Sequence, residues 1–297
     1  MGKGDDMRMP DALIPPSLAV VILGLAASLG WGVSDFGGGL ASRRAPVLGV
    51  LLWSQVASLS LGVPLLLLTP EPPMQPRDVL IAALGGTLGA SGLALLYRGL
   101  SVGRMGVVAP VAAVITATMP VLFGFLTQGA PPALAIVGIG CAMASVVLVS
   151  RSPSAADGRP SGIWYAIGAG LVFGSFTISA SFLGDGLIVT PVVVIRFASI
   201  LTVATWILVR RQPWRVSRGL LPALLLIGVL DMSATASYLL AIAVGPLAIA
   251  AILASLYPVF TTVFAAAVLR ERVTALHAVG IVAAAAAVVL IAGASAA

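Results

Sequence analysis

The chain has 297 residues, of which 60% are hydrophobic and only 9% are charged, and its formal net charge is +6. Soluble globular chains carry roughly a quarter charged residues, because water must wet their surface. The composition therefore excludes a cytosolic enzyme, a secreted scaffold and a disordered segment. One cysteine and one histidine leave no disulfide framework and no Cys/His metal cluster. The sequence predicts an integral membrane protein that needs no cofactor and no metal.

Ten apolar stretches follow one another along the chain. Each is long enough for one helical crossing of a hydrocarbon core about 30 Å thick. They lie at 18–40, 46–69, 79–99, 105–127, 133–150, 162–183, 188–209, 219–244, 246–269 and 274–294. None alternates apolar and polar residues as the strands of a membrane barrel do. The predicted fold class is all-α integral membrane, with ten transmembrane helices.

The chain matches itself without gaps at an offset of 142 residues. The matched positions include Gly32 with Gly174, Gly86 with Gly228 and Gly103 with Gly245, and five of the seven positions of 133–139 match 275–281. We therefore predict two five-helix repeats, 18–150 and 162–294, joined by the loop 151–161. An odd number of crossings per repeat gives the second repeat the opposite orientation, an arrangement recurrent in secondary transporters. The alternative is that the two copies are fused only for stability.

Basic residues divide unevenly between the two ends of the predicted bundle. One end, with the N-terminus, holds Lys3, Arg8 and Arg77. The other holds Arg43, Arg44, Arg98, Arg104, Arg151, Arg159, Arg210, Arg211, Arg215, Arg218, Arg270 and Arg272. The positive-inside rule then predicts that both termini lie outside the cytoplasm. The excess charge indicates membrane topology and lipid contact rather than nucleic-acid binding.

Two opposite charges fall inside predicted helices at matching depth. Asp231 lies twelve residues after the start of the eighth stretch, and Arg196 lies thirteen residues before the end of the seventh. At about 1.5 Å rise per residue, their depths agree within roughly 2 Å. A charge in mid-bilayer needs a partner or water, so we predict an ion pair or a shared site. Asp231 would couple proton movement to transport, with Arg196 as its partner or as a contact for a substrate carboxylate. The alternative is a static structural pair.

Further side chains lie at suitable depth or on the same helical faces. Thr235 and Tyr238 follow Asp231 at i+4 and i+7, and Trp31 and Asp35 share one face of the first stretch. The predicted substrate-contacting residues are Trp31, Gln55, Arg196, Thr235 and Tyr238. Close helix packing, favoured by small residues, explains the glycines of these helices but not Trp31 and Asp35.

Other candidate residues are given no functional role. Tyr97 lies near the end of the third stretch and is expected in the interfacial aromatic belt, and His277 is expected at the entrance of the last stretch. The sequence contains no HExxH, CxxC or phosphate-binding glycine-lysine motif. We therefore predict that the protein is neither an enzyme nor an ATP-driven pump.

Three stretches resemble one family of transporters. They are GWGVSDF at 30–36, VIRFAS at 194–199 and SLYPVFTTVFAAAVLRERVTALHAVGIVAA at 255–284. With ten stretches in two halves, the chain resembles the EamA family of the drug/metabolite transporter superfamily. A Leu-x-Glu-Arg turn at Leu269, Glu271 and Arg272 follows the family's order, whereas the equivalent turn of the first half is the uncharged 128–130.

The resemblance implies a multi-pass carrier of the inner (plasma) membrane with a central cavity between its halves. It also implies cytoplasmic termini, opposite to the charge distribution, so the orientation stays open. We expect a secondary active transporter, commonly an exporter of an amino acid, metabolite or drug, that works by alternating access and is coupled to protons or uncoupled. The other alternative is a non-transporting receptor or scaffold. The expected partners are a small molecule and the lipid bilayer; substrate and oligomeric state stay open.

Overall fold

The computed structural model describes residues 16–128, 133–150, 162–180, 182–184, 187, 189–244, 253–254, 256–270 and 275–294. Every regular element within these ranges is helical. In chain order they are α1 (Pro16–Ala41), α2 (Val47–Leu68), α3 (Pro76–Val102), α4 (Met105–Gln128), α5 (Ala133–Ser150), α6 (Ile163–Ala180), α7 (Val189–Arg210), α8 (Leu221–Val244), α9 (Tyr257–Leu269) and α10 (Ala275–Ala294), with a 3-10 turn at Arg218–Leu220. The predicted loop 151–161 and the turn at 271–274 lie outside the described residues, as does most of the predicted start of the ninth stretch.

Six helical segments of the described chain are long and apolar enough to cross a membrane. They are Leu18–Ala41, Val47–Leu68, Pro76–Val102, Ile163–Ala180, Val189–Arg210 and Arg218–Tyr238. Large apolar side chains cover the outside of this bundle: Leu67, Leu80 and Leu208 are 81%, 72% and 76% exposed. Such a surface suits lipid. The predicted all-α membrane fold is confirmed, whereas ten crossings stay a prediction, because length and apolarity establish six.

Two equivalent helix crossings join the repeats. A Cβ atom at Gly86 of α3 would clash with the carbonyl oxygen of Ile195 on α7, and one at Gly228 of α8 would clash with the carbonyl oxygen of Ser54 on α2. The Ser199 hydroxyl of α7 donates to the Gly86 carbonyl at 2.8 Å. Gly228 lies 142 positions after Gly86, so the same close crossing is made twice, once by each repeat.

Contacts along neighbouring helices give their directions. The contacting pairs are Gly38 with Tyr97 and Arg43 with Gly103 for α1 and α3, and Gly85 with Phe176 and Gly99 with Tyr165 for α3 and α6. Residue numbers rise together along α1 and α3, which are parallel, and rise against each other along α3 and α6, which are antiparallel. The first helices of the two repeats, α1 and α6, therefore run in opposite directions, as an inverted repeat requires.

The described contacts between the repeats differ at the two ends of the bundle. At one end, here called the carboxylate end, Glu71 accepts the backbone N–H groups of Val189 at 2.6 Å and Thr190 at 2.9 Å, in the first turn of α7. Asp78 accepts the Gly184 N–H at 3.2 Å. An anion at a helix N-terminus is stabilised by unpaired N–H groups and the helix dipole. Two carboxylates of the first repeat thus bind the backbone of the second.

At the opposite end, here called the arginine-rich end, one described contact between the repeats is a close approach of uncharged groups. Gly49 in the first turn of α2 lies directly against the carbonyl oxygen of Trp214, in the loop between α7 and α8, and against the side chain of Val216. Arg43, at the same end, donates to the carbonyls of Leu100 and Gly103 of the first repeat. Close backbone packing is therefore a part of the contact at this end, and hydrogen bonds to carboxylates are a part of the contact at the other.

The Gly86 crossing can be tested against a matched position on the same helix. We expect Gly86→Ala to lower the melting temperature of the purified protein, because the added methyl group meets the α7 backbone and overpacking costs about 1–3 kcal/mol. Gly89→Ala is the control, since nothing lies within 4 Å of a Cβ atom there. Both changes raise helix propensity by about 1 kcal/mol, so their difference isolates the crossing. Equal melting temperatures for the two variants would contradict the close approach of α3 and α7.

Candidate functional site

An ion pair joins α7 to α8 inside the bundle. The Arg196 Nη2 atom lies 2.7 Å from the Asp231 Oδ2 atom, and the two side chains are only 12% and 22% exposed. Equal depths along two helices joined by a short loop predicted this pair, and the structure forms it. A pair this well screened from water interacts strongly, and removal of one partner leaves a charge without compensation.

The Arg196 guanidinium also binds two neutral side chains. Its Nη1 atom donates to Gln55 Oε1 of α2 at 3.2 Å, and its Nη2 atom donates to the Thr235 hydroxyl of α8 at 3.2 Å. The Thr235 hydroxyl in turn donates to the Asp231 carbonyl at 2.9 Å. Gln55 is 2% exposed. One cation therefore ties α2 of the first repeat to α7 and α8 of the second.

Two aromatic side chains extend this cluster toward α1. The ring centroids of Trp31 on α1 and Tyr238 on α8 lie 5.7 Å apart, with the rings tilted by 51°, a favourable geometry for an aromatic pair. Tyr238 follows Asp231 by seven residues, two helical turns along the same face of α8. The structure thus brings all the predicted site residues to four neighbouring helices, α1, α2, α7 and α8. Their binding and coupling roles stay predictions.

Sequence reasoning gave no role to a second carboxylate beside the ion pair. Asp35 lies one turn after Trp31 on α1, is 9% exposed and interacts electrostatically with Asp231. Its place on the same face as Trp31 was visible in the sequence. The helix that it faces was not, because helical spacing gives a direction but no neighbour.

Tyr97 was also missed, and its predicted place in the interfacial belt is wrong. The side chain is 3% exposed and interacts electrostatically with Asp35, Asp231 and Arg196. The ring is buried between α3 and α1 and does not lie on the outside of the bundle, where an interfacial belt would be. A sequence signal was present in 37–39, three successive glycines of α1, since the Tyr97 ring lies directly against Gly38.

An open groove lies elsewhere, between α3 and α7. Its volume is about 370 Å³, and it is lined by Ala83, Thr87, Ala198, Leu201, Thr202, Thr205 and Trp206. On α7 these positions occupy the face opposite to Arg196, given 3.6 residues per turn. The groove therefore belongs to the outer surface of the bundle and not to the cluster around the ion pair. Within the described ranges, no group of three or more His, Cys, Asp or Glu side chains could hold a metal ion.

A membrane bundle of two inverted repeats with a polar cluster between them is an arrangement that recurs among membrane transporters. The model of the EamA-like transporter family matches residues 18–151 and again residues 160–293. The chain therefore belongs to the EamA-like transporter family, and the resemblance seen in the sequence is confirmed. It is a membrane transporter of the drug/metabolite transporter type, a family that is generally not enzymatic.

Solved structures support the same fold. Matches extend to 17 chains, among them a structure titled "Crystal structure of protein", which is 16% identical, with a TM-score of 0.62 over 92% of this chain and 96% of that chain. An identity this low shows a shared fold alone. No curated protein matches the sequence.

The strength of the ion pair can be measured with a double-mutant cycle. We expect Arg196→Met to lower the free energy of unfolding by about 3–5 kcal/mol, because Asp231 is left as an unpaired buried charge. The double variant Arg196→Met with Asp231→Leu should recover most of this loss, since an apolar pair of similar volume is tolerated. Phe197→Met is the matched control, because the neighbouring Phe197 is 55% exposed on the outside. Additive losses in the double variant would show that the two side chains are not coupled.

Proposed function

We propose that this protein is a secondary active transporter with ten helices crossing the inner (plasma) membrane, an exporter of a small organic solute that works by alternating access. The observation that carries the proposal is the polar cluster around Arg196, which joins helices of two inverted repeats. Transporters of this architecture bind their solute near the midplane, where the repeats meet. A buried charge cluster there fits a solute site better than a packing element, which small apolar residues already supply at the glycine crossings.

Side chains of both repeats form the cluster, so relative motion of the repeats changes the contacts within it. Trp31 and Gln55 belong to the first repeat, whereas Arg196, Thr235 and Tyr238 belong to the second. Rocking one repeat against the other changes the contact of Arg196 with Gln55 and that of Trp31 with Tyr238. A solute bound between these side chains stabilises one arrangement over the other, which is the thermodynamic requirement for a ligand-driven change of state.

Asp231 is the proposed coupling group. Protonation would remove its charge and its attraction for Arg196, 2.7 Å away, so the guanidinium would be free to exchange partners. This links occupancy by a proton to the contact between α7 and α8. The contacts of Arg196 then depend on whether Asp231 is protonated, and so on the pH at the side of the membrane from which the proton comes.

Transport and coupling can be tested in proteoliposomes. Solutes found in a thermal-shift screen of amino acids, purine derivatives and organic cations are assayed for accumulation driven by an imposed pH gradient. We expect Asp231→Asn to abolish gradient-driven accumulation and Asp231→Glu to retain a part of it. Ser233→Ala, an exposed position of the same helix, is the control. Undiminished proton-driven flux in Asp231→Asn would reject this residue as the coupling group.

A facilitative permease is the second candidate, and one observation favours it. The Asp231 carboxylate already has a cationic partner, and a pair of this kind is stable without a proton. An uncoupled carrier would equilibrate its solute at the same rate after an ionophore has collapsed the pH gradient. The coupled carrier would lose its accumulation in that experiment.

A further inference from the structure

Asp35 differs from Asp231 in having no partner for its charge among the residues that the structure describes. The side chain lies in the membrane-spanning part of α1 and is only 9% exposed. No hydrogen-bond donor or cation of the described residues contacts its carboxylate, whereas the Asp231 carboxylate lies 2.7 Å from a guanidinium. A buried carboxylate without a partner is costly in a medium of low polarity. A carboxylate in such surroundings either takes up a proton or pairs with a cation, and no described side chain supplies that cation.

The groups around Asp35 come from every helix packed on this part of α1. On α8, Asp231 repels the Asp35 charge, while Tyr97 on α3 and Tyr257 on α9 interact with it electrostatically. Arg196 on α7, the cation of the cluster, is already bound to Asp231, Gln55 and Thr235. The surroundings of Asp35 are thus aromatic hydroxyls and a second carboxylate.

The balance of charge in this cluster favours a cation over an anion. The cluster contains two carboxylates, Asp35 and Asp231, and one guanidinium, so it carries one net negative charge when both carboxylates are ionised. An anionic solute would meet both carboxylates and would have to displace Asp231 from Arg196. A cationic solute would find Asp35 free, with the aromatic pair of Trp31 and Tyr238 close by, and aromatic faces attract cations.

We propose that the site binds an organic cation, whose amine pairs with Asp35 and whose apolar body packs on Trp31 and Tyr238. This inference rests on the proposed function and deepens it, because it names the substrate class of the same site. It replaces Arg196 by Asp35 as the side chain that meets the charged group of the solute. Arg196 then acts as a positioning residue that holds Asp231 and Gln55 in place.

Three probes that share a phenylethyl group test the charge preference. They are 2-phenylethylamine, the neutral 2-phenylethanol and the anionic 3-phenylpropionate, titrated calorimetrically at pH 8 into the full chain in lipid nanodiscs. We expect the amine to bind about tenfold or more tightly than the alcohol, as a charge-assisted hydrogen bond provides. Asp35→Asn should reduce amine affinity to that of the alcohol and leave the alcohol unchanged, and Asp35→Glu should recover part of the preference. Asp78→Asn, a buried carboxylate at the carboxylate end, is the control and should keep it.

Several outcomes would overturn the cation site. These are preference for 3-phenylpropionate, equal binding of the amine and the alcohol by the unmodified chain, or an amine preference that survives in a folded Asp35→Asn variant. If Asp35→Asn does not fold, as its melting curve would show, the ranking of the three probes on the unmodified chain and on Asp35→Glu decides. A separate assay measures flux of labelled 2-phenylethylamine across proteoliposomes. Binding of the amine without flux would reject the transporter and keep the cation site, whereas flux of another solute without amine binding would do the reverse.

Discussion

A charge in the middle of a bilayer costs several kcal/mol unless it is paired or hydrated, and the centre of this protein is arranged around that cost. For Arg196 this cost is compensated by the ion pair with Asp231 and the hydrogen bonds to Gln55 and Thr235. The contacts hold α2, α7 and α8 together in a membrane, where apolar helices gain little from burying apolar surface against one another. No described side chain compensates the charge of Asp35 in this way. Of two nearby carboxylates, one is thus paired with a guanidinium and the other has no cation beside it in the described part of the chain.

The sequence was sufficient wherever a prediction depended on one helix or on two helices joined by a short loop. Length and apolarity gave the all-helical membrane fold, and constant helical rise gave the equal depths of Arg196 and Asp231. Predictions failed where they needed the contact between distant helices. Tyr97 was placed in the interface because the sequence does not show that its ring packs on Gly38 of α1. Gly86 and Gly89 look alike in the sequence, but only the first lies against another backbone.

The two repeats share a backbone arrangement but differ in the side chains that lie between their helices. The glycines at the equivalent crossings fix the approach of α3 to α7 and of α8 to α2, which leaves the side chains between the helices free to diverge. At an offset of 142 residues, Asp35, Arg196 and Asp231 correspond to Thr177, Ser54 and Gly89. The counterpart of Trp31 is Phe173, which packs on Gly92 between α3 and α6. The charged residues therefore occupy only one of the two equivalent regions related by the repeat. In the other region, uncharged residues and phenylalanine rings take their place.

The unlike ends of the bundle have a consequence for the resting state of a carrier. In a molecule with perfect inverted symmetry, the inward-open and outward-open forms would have equal free energies, and neither would be favoured. Here, opening the carboxylate end separates Glu71 from two N–H groups of α7, whereas opening the arginine-rich end separates Gly49 from a backbone carbonyl. Contacts of such different kinds differ in free energy, so the two forms of the empty carrier would not be equally populated.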